Sequence, residues 1–200
     1  LASYYDEIGE KELYKLQLDS LLLNKKIPSE AKLNVMRQVI AQNEQAGADS
    51  TQVITIFDRI LQQDPDDDPM LYSQYLWAKN MKESSVPVLE RVLQIDPTNK
   101  AARMMLLEIA VQKEDFEQVI KICEPGVEAT PDALEFYFYL AIAYNQAERG
   151  DDVLALSKKA LEHVTADTKK EIVADFYTIM GDAYHTKGMM DEAYNAYDSA

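Results

Sequence analysis

Apolar residues recur along the chain at intervals of three and four, which places them on one face of an α-helix. Val119 and Cys123 show the interval of four. The aromatic run at 136–139 resembles a strand, but the residues after it continue the helical spacing. Only 6 Gly and 7 Pro occur, too few for an all-β chain with many turns. The pattern predicts about twelve helices and no strand, near residues 1–8, 10–25, 29–46, 50–64, 69–82, 85–96, 99–113, 115–129, 132–147, 151–164, 168–187 and 190–200.

A four-position motif with intervals of three, one and three recurs along the chain. The two clearest copies are Tyr177, Met180, Gly181 and Tyr184, and Tyr137, Leu140, Ala141 and Tyr144. Leu1, Ala2 and Tyr5 fit the same motif. Small residues in such copies let two helix backbones approach closely, so we expect tight helix contacts at Gly181, Ala141, Ala160 and Ala193.

The middle of the chain repeats through its helix endings. Pro65, Pro97 and Pro131 each follow a similar sequence, at spacings of 32 and 34 residues. Between them the four-position motif is weak, since Arg103 and Leu107 stand where an aromatic residue and a small one are expected. The prolines therefore supply the repeat frame in this region.

The motif at Tyr177–Tyr184, followed by Ala193 and Tyr197, resembles the tetratricopeptide repeat. The resemblance implies an all-α, right-handed α-α superhelix of stacked antiparallel helix pairs. We expect one solenoid over 1–200 with about five and a half repeats. Both ends fall within a repeat, so we expect a segment of a longer array. The expected repeats are 1–28 (partial), 29–67, 68–99, 100–133, 134–173 and 174–200 (partial).

The formal net charge is −15 and the isoelectric point is about 4.5. Nucleic-acid binding is excluded on this ground, because it depends on Lys and Arg neutralising phosphates. No apolar run is long enough to insert into a membrane. The single cysteine, Cys123, forms no internal disulfide, and its apolar spacing predicts a buried structural thiol.

No pattern indicates catalysis, a cofactor or a metal site, so we predict a non-enzymatic protein. The two histidines, His163 and His185, lack the spacing of a nucleophilic device. Asp175, Asp182 and His185 share one helix face, but their intervals of seven and three are not those of a zinc site. We interpret them as a polar, solvated stripe.

The resemblance implies a peptide-binding groove lined by the first helix of each pair. Four consecutive aromatic residues cannot all be buried on one helix face, so at least one of them must face the groove or solvent. The family's carboxylate clamp, made of Lys, Asn and Arg, is not reproduced at these positions. The implied groove residues are Tyr72, Leu76 and Lys79; Met104, Glu108 and Val111; Phe138, Ile142 and Asn145; and Asp175, Thr178, Asp182 and His185.

These observations predict a protein-interaction scaffold that binds a peptide or helix of unknown identity. Two alternatives remain open: a structural spacer in a larger envelope or assembly protein, and a regulatory repeat region of a missing enzyme such as a glycosyltransferase. Apolar ends at Leu1, Tyr5, Tyr197 and Ala200 predict end-to-end self-association. The chain resembles tetratricopeptide arrays of bacterial cell-envelope proteins, of a Bacteroidetes type, so periplasm or envelope is favoured over cytoplasm.

Overall fold

The computed structural model describes residues 9–64 and 69–200. Within these residues the chain forms eleven α-helices and no strand, and every predicted helix boundary lies within four residues of the observed one. The predicted helix at 1–8 lies outside the described residues. The helices are α1 (Lys11–Leu22), α2 (Ser29–Gln45), α3 (Thr51–Gln63), α4 (Pro69–Ala78), α5 (Lys82–Ile95), α6 (Lys100–Gln112), α7 (Phe116–Ala129), α8 (Leu134–Gln146), α9 (Gly150–Glu162), α10 (Lys170–Thr186) and α11 (Met190–Asp198).

The chain divides into two compact units, Leu1–Ile95 and Asp96–Ala200. The first unit has its own apolar core, to which α1, α2, α3 and α4 contribute. Phe57 of α3 stacks on Tyr72 of α4, with ring centroids 4.6 Å apart. Leu18, Leu22 and Val53 are almost completely buried in the same core.

The second unit contains α6 to α11, and each of these helices packs against the next. In addition, α8 contacts α10, so first helices of successive pairs touch each other. Phe138 of α8 meets Phe176 of α10 edge to face, with centroids 6.5 Å apart. This nearest-neighbour packing is the arrangement of a repeat protein, in which one pair cannot bury its apolar face alone.

A left-handed residue closes the turn inside each helix pair from α4 onwards. Asn80, Glu114, Glu148 and Gly188 have φ between 54° and 74°, at spacings of 34, 34 and 40 residues. The next amide in each turn donates to the carbonyl five residues back, at 2.8–3.0 Å: Met81 to Leu76, Asp115 to Ala110, Arg149 to Tyr144 and Met189 to Tyr184. These bonds satisfy carbonyls that the end of a helix leaves free. The turns therefore mark the repeat frame directly.

The positions of these turns, which we call the turn frame, show that part of the predicted groove was assigned wrongly. Tyr72 and Leu76 stand at the same distance from their turn as Leu140 and Tyr144, and all four are buried. The 32-residue spacing of the prolines is two residues shorter than the 34-residue turn spacing. Two residues rotate a helix position by about 200°, which exchanges the inner and outer faces. The placement of Tyr72 and Leu76 in a groove was therefore wrong.

The predicted tight helix contacts are confirmed. Ala141 and Ala160 are fully buried and Ala193 is 2% exposed. A Cβ added to Gly181 would lie 2.6 Å from Cδ1 of Tyr197, so only glycine fits without movement of that ring. Cys123 is fully buried, as its apolar spacing predicted. Small side chains thus occupy enclosed positions between the helices of the second unit.

Candidate functional site

The candidate site is the side of the first helices of the second unit that faces away from the apolar core. The first helices are the first members of each helix pair, and this is the side expected to line the groove. Its residues are spaced by three and four along α6, α8 and α10, so those on one helix project to the same side. We call it the first-helix face. It consists of Met104, Glu108 and Val111 on α6, Phe138, Ile142 and Asn145 on α8, and Asp175, Thr178, Asp182 and His185 on α10.

The centre of the first-helix face is apolar and accessible. Met104, Phe138 and Ile142 are half-buried, and Val111 is 37% exposed. The ring of Phe138 is held edge to face by Tyr139, with centroids 5.4 Å apart. None of these residues is wholly enclosed between helices, so the accessibility expected for the groove is present. Helices α6 and α8 thus offer apolar side chains that are partly accessible on this face.

The α10 part of the face is polar and exposed. Asp175, Asp182 and His185 are all exposed. Asp182 accepts a hydrogen bond from the Tyr197 hydroxyl at 2.7 Å, and this bond raises the pKa of Tyr197 because the phenol donates to a carboxylate. Thr178 donates to the Ala174 carbonyl at 3.0 Å. The acidic residues therefore lie beside the apolar centre, with Asp182 also tied to α11.

A pocket of about 240 Å³ opens on this face between α6 and the side chain of Tyr139. Met105 and Tyr139 belong to it, although sequence reasoning did not select either of them. Met105 is next to the predicted Met104, and Tyr139 belongs to the four-aromatic run from which only Phe138 was chosen. The lining residues are Met104, Met105, Leu107, Glu108, Val111, Gln112 and Tyr139.

In the first unit, the turn frame assigns different residues to the outer face of α4. Met70, Gln74 and Trp77 precede their turn by the same intervals as Met104, Glu108 and Val111 precede theirs. Trp77 is half-buried, and its indole donates to the Ser85 hydroxyl at 2.8 Å. Lys79, the third groove residue predicted for this pair, lies one residue after the end of α4. It is half-buried and forms an ion pair with Glu44.

Arg103 is a buried residue whose role the sequence did not predict. It stands in α6 at the position of an aromatic residue and is 4% exposed. Its guanidinium donates to the carbonyls of Ile122 at 2.9 Å and Pro97 at 2.8 Å, while burial lowers its pKa. A Cβ at Gly126 would lie 2.8 Å from Cδ of Arg103, so this glycine makes room for it. Arg103 thus fastens α7 to the segment before α6.

The reactive groups among the described residues are dispersed. Burial raises the pKa of the Cys123 thiol to about 12, which leaves it protonated at neutral pH. His163 Nδ1 lies 3.3 Å from a carboxylate oxygen of Asp132. Over residues 9–64 and 69–200 there is no group of three or more metal-binding side chains. In the same part of the chain, none of the helices has the length and apolarity that a bilayer crossing requires.

Helix pairs of about 34 residues, joined by recurring turns and carrying an apolar face on their first helices, define a helical-repeat protein of the protein-interaction class. The family models for the tetratricopeptide repeat match at residues 76–138 and 174–200. These two segments are similar to tetratricopeptide repeats, and the fold class of the chain is the predicted all-α solenoid type. Proteins of this family are protein-interaction scaffolds, and their fold is typically non-catalytic.

One similar protein is the "Protein STIP1 homolog" of Dictyostelium discoideum, which is 35% identical over 98 residues. The match covers 46% of this chain, and the chain spans only 16% of the length of that protein. Among solved structures, a crystal structure of the MamA protein matches with a TM-score of 0.59 at 16% identity, over 83% of this chain and 88% of MamA. A second MamA structure, AMB-1, has a TM-score of 0.60 at 17% identity, over 85% and 90% of the two chains. At this identity the MamA likeness shows the fold.

Proposed function

We propose that the first-helix face of the second unit binds a peptide or helix of a partner protein. The observation that carries this proposal is the accessible apolar centre on α6 and α8, formed by Met104, Phe138 and Ile142. Large apolar side chains on a monomer surface are buried when a partner docks, and aromatic anchors contribute most of the binding free energy. The partner segment supplies apolar side chains toward this centre.

Asp175 and Asp182 orient the bound partner segment. Both carboxylates are exposed on α10, beside the apolar centre. A Lys or Arg of the partner lies toward this edge, since the chain as a whole carries a net charge of −15. Because exposed charges are screened over about 8 Å at physiological ionic strength, salt weakens the complex only modestly and acts mainly on the association rate.

A random peptide library displayed on phage tests this proposal directly. Peptides selected on the wild-type chain should lose affinity by about 1–3 kcal/mol on Phe138→Ala. Ile142→Glu should have the larger effect, because it places a charge in the apolar centre. Tyr194→Ala is the matched control, since Tyr194 is 70% exposed on the second helix α11. Urea unfolding of each variant separates lost binding from lost stability.

The proposal is refuted if the selected peptides bind Phe138→Ala and Ile142→Glu as tightly as the wild type. The same conclusion follows if the selection yields no peptide that binds above background.

A second candidate function is a structural spacer that associates end to end. It is supported by an exposed apolar stripe on α11, formed by Met190 (46% exposed), Tyr194 (70%) and Tyr197 (39%). The residue of α9 that corresponds to Tyr194 is Leu154, which is 8% exposed in the core of the second unit. Leu1 and Tyr5, also expected at an apolar end, lie outside the described residues.

Sedimentation at micromolar concentration distinguishes the spacer function. Association that Tyr194→Ser reduces would support it, and a monomer at all concentrations would contradict it. Placement in a bacterial envelope, and attachment to an enzyme such as a glycosyltransferase, stay predictions from the sequence. Fractionation of cells that express the tagged protein tests the first of them.

A further inference from the structure

The pocket between α6 and Tyr139 is smaller than the sites that usually hold drug-sized ligands. Its volume is about 240 Å³, below the roughly 300–1,000 Å³ of pockets that hold drug-sized ligands. Leu107, which is 1% exposed, lines its inner side, while Val111 and Gln112 are exposed at its rim. Anchor residues at interfaces fill pockets of this kind and are surrounded by weaker contacts.

Two adjacent methionines give this pocket an adaptable wall. Met104 and Met105 both line it, and both are half-buried. Methionine has three rotatable bonds and a polarizable sulfur, so a wall built from it adjusts to side chains of different shape. The Tyr139 ring on the opposite helix is fixed edge to face against Phe138. The pocket therefore combines one rigid aromatic side with one soft side.

Glu108 sets the charge at the rim of the pocket. It is exposed, and it accepts a hydrogen bond from the Gln112 amide at 3.2 Å. No Lys or Arg is among the pocket residues, and the chain carries a net charge of −15. A cationic residue next to the anchor complements this rim, whereas an acidic residue there is repelled.

We propose that this pocket receives the anchor side chain of the partner segment and accepts leucine, methionine and phenylalanine alike. A Lys or Arg beside the anchor pairs with Glu108. This inference rests on the proposed function and adds to it the partner class: a segment with one large apolar residue flanked by a basic one. The soft methionine wall makes the recognition tolerant of the anchor's shape.

The test uses one peptide from the phage selection, synthesised with Leu, Met, Phe or Ala at its anchor position. The Leu, Met and Phe forms should bind within about tenfold of each other, and the Ala form should bind more than about tenfold more weakly. Met104→Ile together with Met105→Ile should widen the spread among the three anchors, because β-branched side chains are stiff. Lys121→Ala, at an exposed position of α7 outside the first-helix face, is the control and should leave the spread unchanged.

Charge reversal tests the rim. Glu108→Lys should shift the preference of the chain from a basic to an acidic residue beside the anchor. A measurement on the wild-type chain avoids any question of misfolding: in a sample with ¹³C-labelled methionine methyl groups, the Met104 and Met105 signals should shift when the peptide binds.

The outcomes separate this inference from the proposed function. One outcome is a peptide that loses binding on Ile142→Glu and yet leaves the Met104 and Met105 signals unshifted. That result would show that the pocket does not receive the anchor, while the first-helix face would remain the binding surface. Selected peptides with an acidic residue beside the anchor, or without an apolar anchor, would overturn the partner class. If no selected peptide responds to any variant of the first-helix face, the proposed function itself fails.

Discussion

The helix pairs α4–α5 and α8–α9, one in each unit, close through the same turn with different residues. Asn80 and Glu148 both have φ near 57°, and the amides after them donate to the carbonyls of Leu76 and Tyr144 at 2.8 and 2.9 Å. The inward positions before the turn are buried in both pairs, yet only α8 carries the aromatic motif. They are Pro69, Tyr72, Ser73 and Leu76 in α4, and Tyr137, Leu140, Ala141 and Tyr144 in α8.

The difference shows which features hold a repeat together. Ser73 and Ala141 occupy the same position and are both completely buried, so a small residue is required there and its polarity is not decisive. The hydroxyl of Ser73 is satisfied by the Pro69 carbonyl at 3.0 Å, within its own helix. Turn geometry and side-chain volume therefore set the frame, and aromatic identity is secondary.

The largest expected effect comes from the register of α4. Leu76→Ala should lower the free energy of unfolding by about 2–5 kcal/mol, because Leu76 is 1% exposed. Gln74→Ala, two positions earlier on the exposed face, should change it by less than about 0.5 kcal/mol. Urea unfolding of both variants checks this pair. Equal effects would mean that the turn spacing does not give the register of α4, and that α4 does not correspond to α8 position by position.

A second experiment compares the small-residue positions. Ser73→Leu and Ala141→Leu should each cost about 1–3 kcal/mol, since both side chains would enter a filled helix contact. Ala78→Leu, at an exposed position of α4, is the control and should be nearly neutral. Thermal denaturation gives the three values. A neutral Ser73→Leu would mean that α4 does not pack as α8 does.

Replacing the non-glycine turn residues by glycine should have a smaller effect on the free energy of unfolding, and of opposite sign. Glu148→Gly should raise the free energy of unfolding by about 0.5–1 kcal/mol, because a left-handed backbone costs a non-glycine residue roughly 1–2 kcal/mol. Asn80→Gly should gain less, since Asn tolerates this conformation. Gly188→Ala should lose stability. Chemical denaturation measures all three, and a destabilised Glu148→Gly would contradict the turn geometry.

The smallest effect at neutral pH concerns two buried tyrosines. Tyr72 and Tyr144 both donate to a carboxylate at 2.7 Å, Asp58 and Glu124 respectively. Burial and the Glu124 carboxylate raise the pKa of Tyr144 to about 12. A raised pKa stabilises the protonated fold, so the contribution is complete below pH 10 and is lost as the pH rises toward 12.

Urea unfolding at pH 9 and pH 11 isolates that contribution. Tyr144→Phe should lose less stability than the wild type over this interval. A wild type and variant with parallel pH dependence would show that the Tyr144 hydroxyl is not enclosed as described.

Helix positions followed from the sequence because apolar spacing and caps are local signals. Asp115, for example, caps α7 by accepting from the Gln118 amide at 3.0 Å. The groove residues of α4 were predicted wrongly because the spacing of Pro65 and Pro97 was used as the repeat length. The segment between such a proline and the next helix can differ in length from repeat to repeat. Arg103 was missed because its backbone partners at Ile122 and Pro97 come together only in the folded chain.

The candidate face followed in part for a similar reason. Once the four-position motif located α8 and α10, the resemblance to the tetratricopeptide repeat implied that Phe138, Ile142 and Asp182 face the groove. The pocket residues Met105 and Tyr139 did not follow, since a pocket depends on how neighbouring helices lean on each other. Intervals along one helix do not contain that information.

The recurring turn has a kinetic consequence. Each turn bond joins residues only five apart, and the helices of the second unit contact their immediate neighbours. Contacts so close in sequence involve little loop-closure entropy, and chains dominated by them fold in microseconds to milliseconds. Each helix pair can thus begin to form as soon as its own residues are available, and the second unit can grow outward from whichever pair forms first.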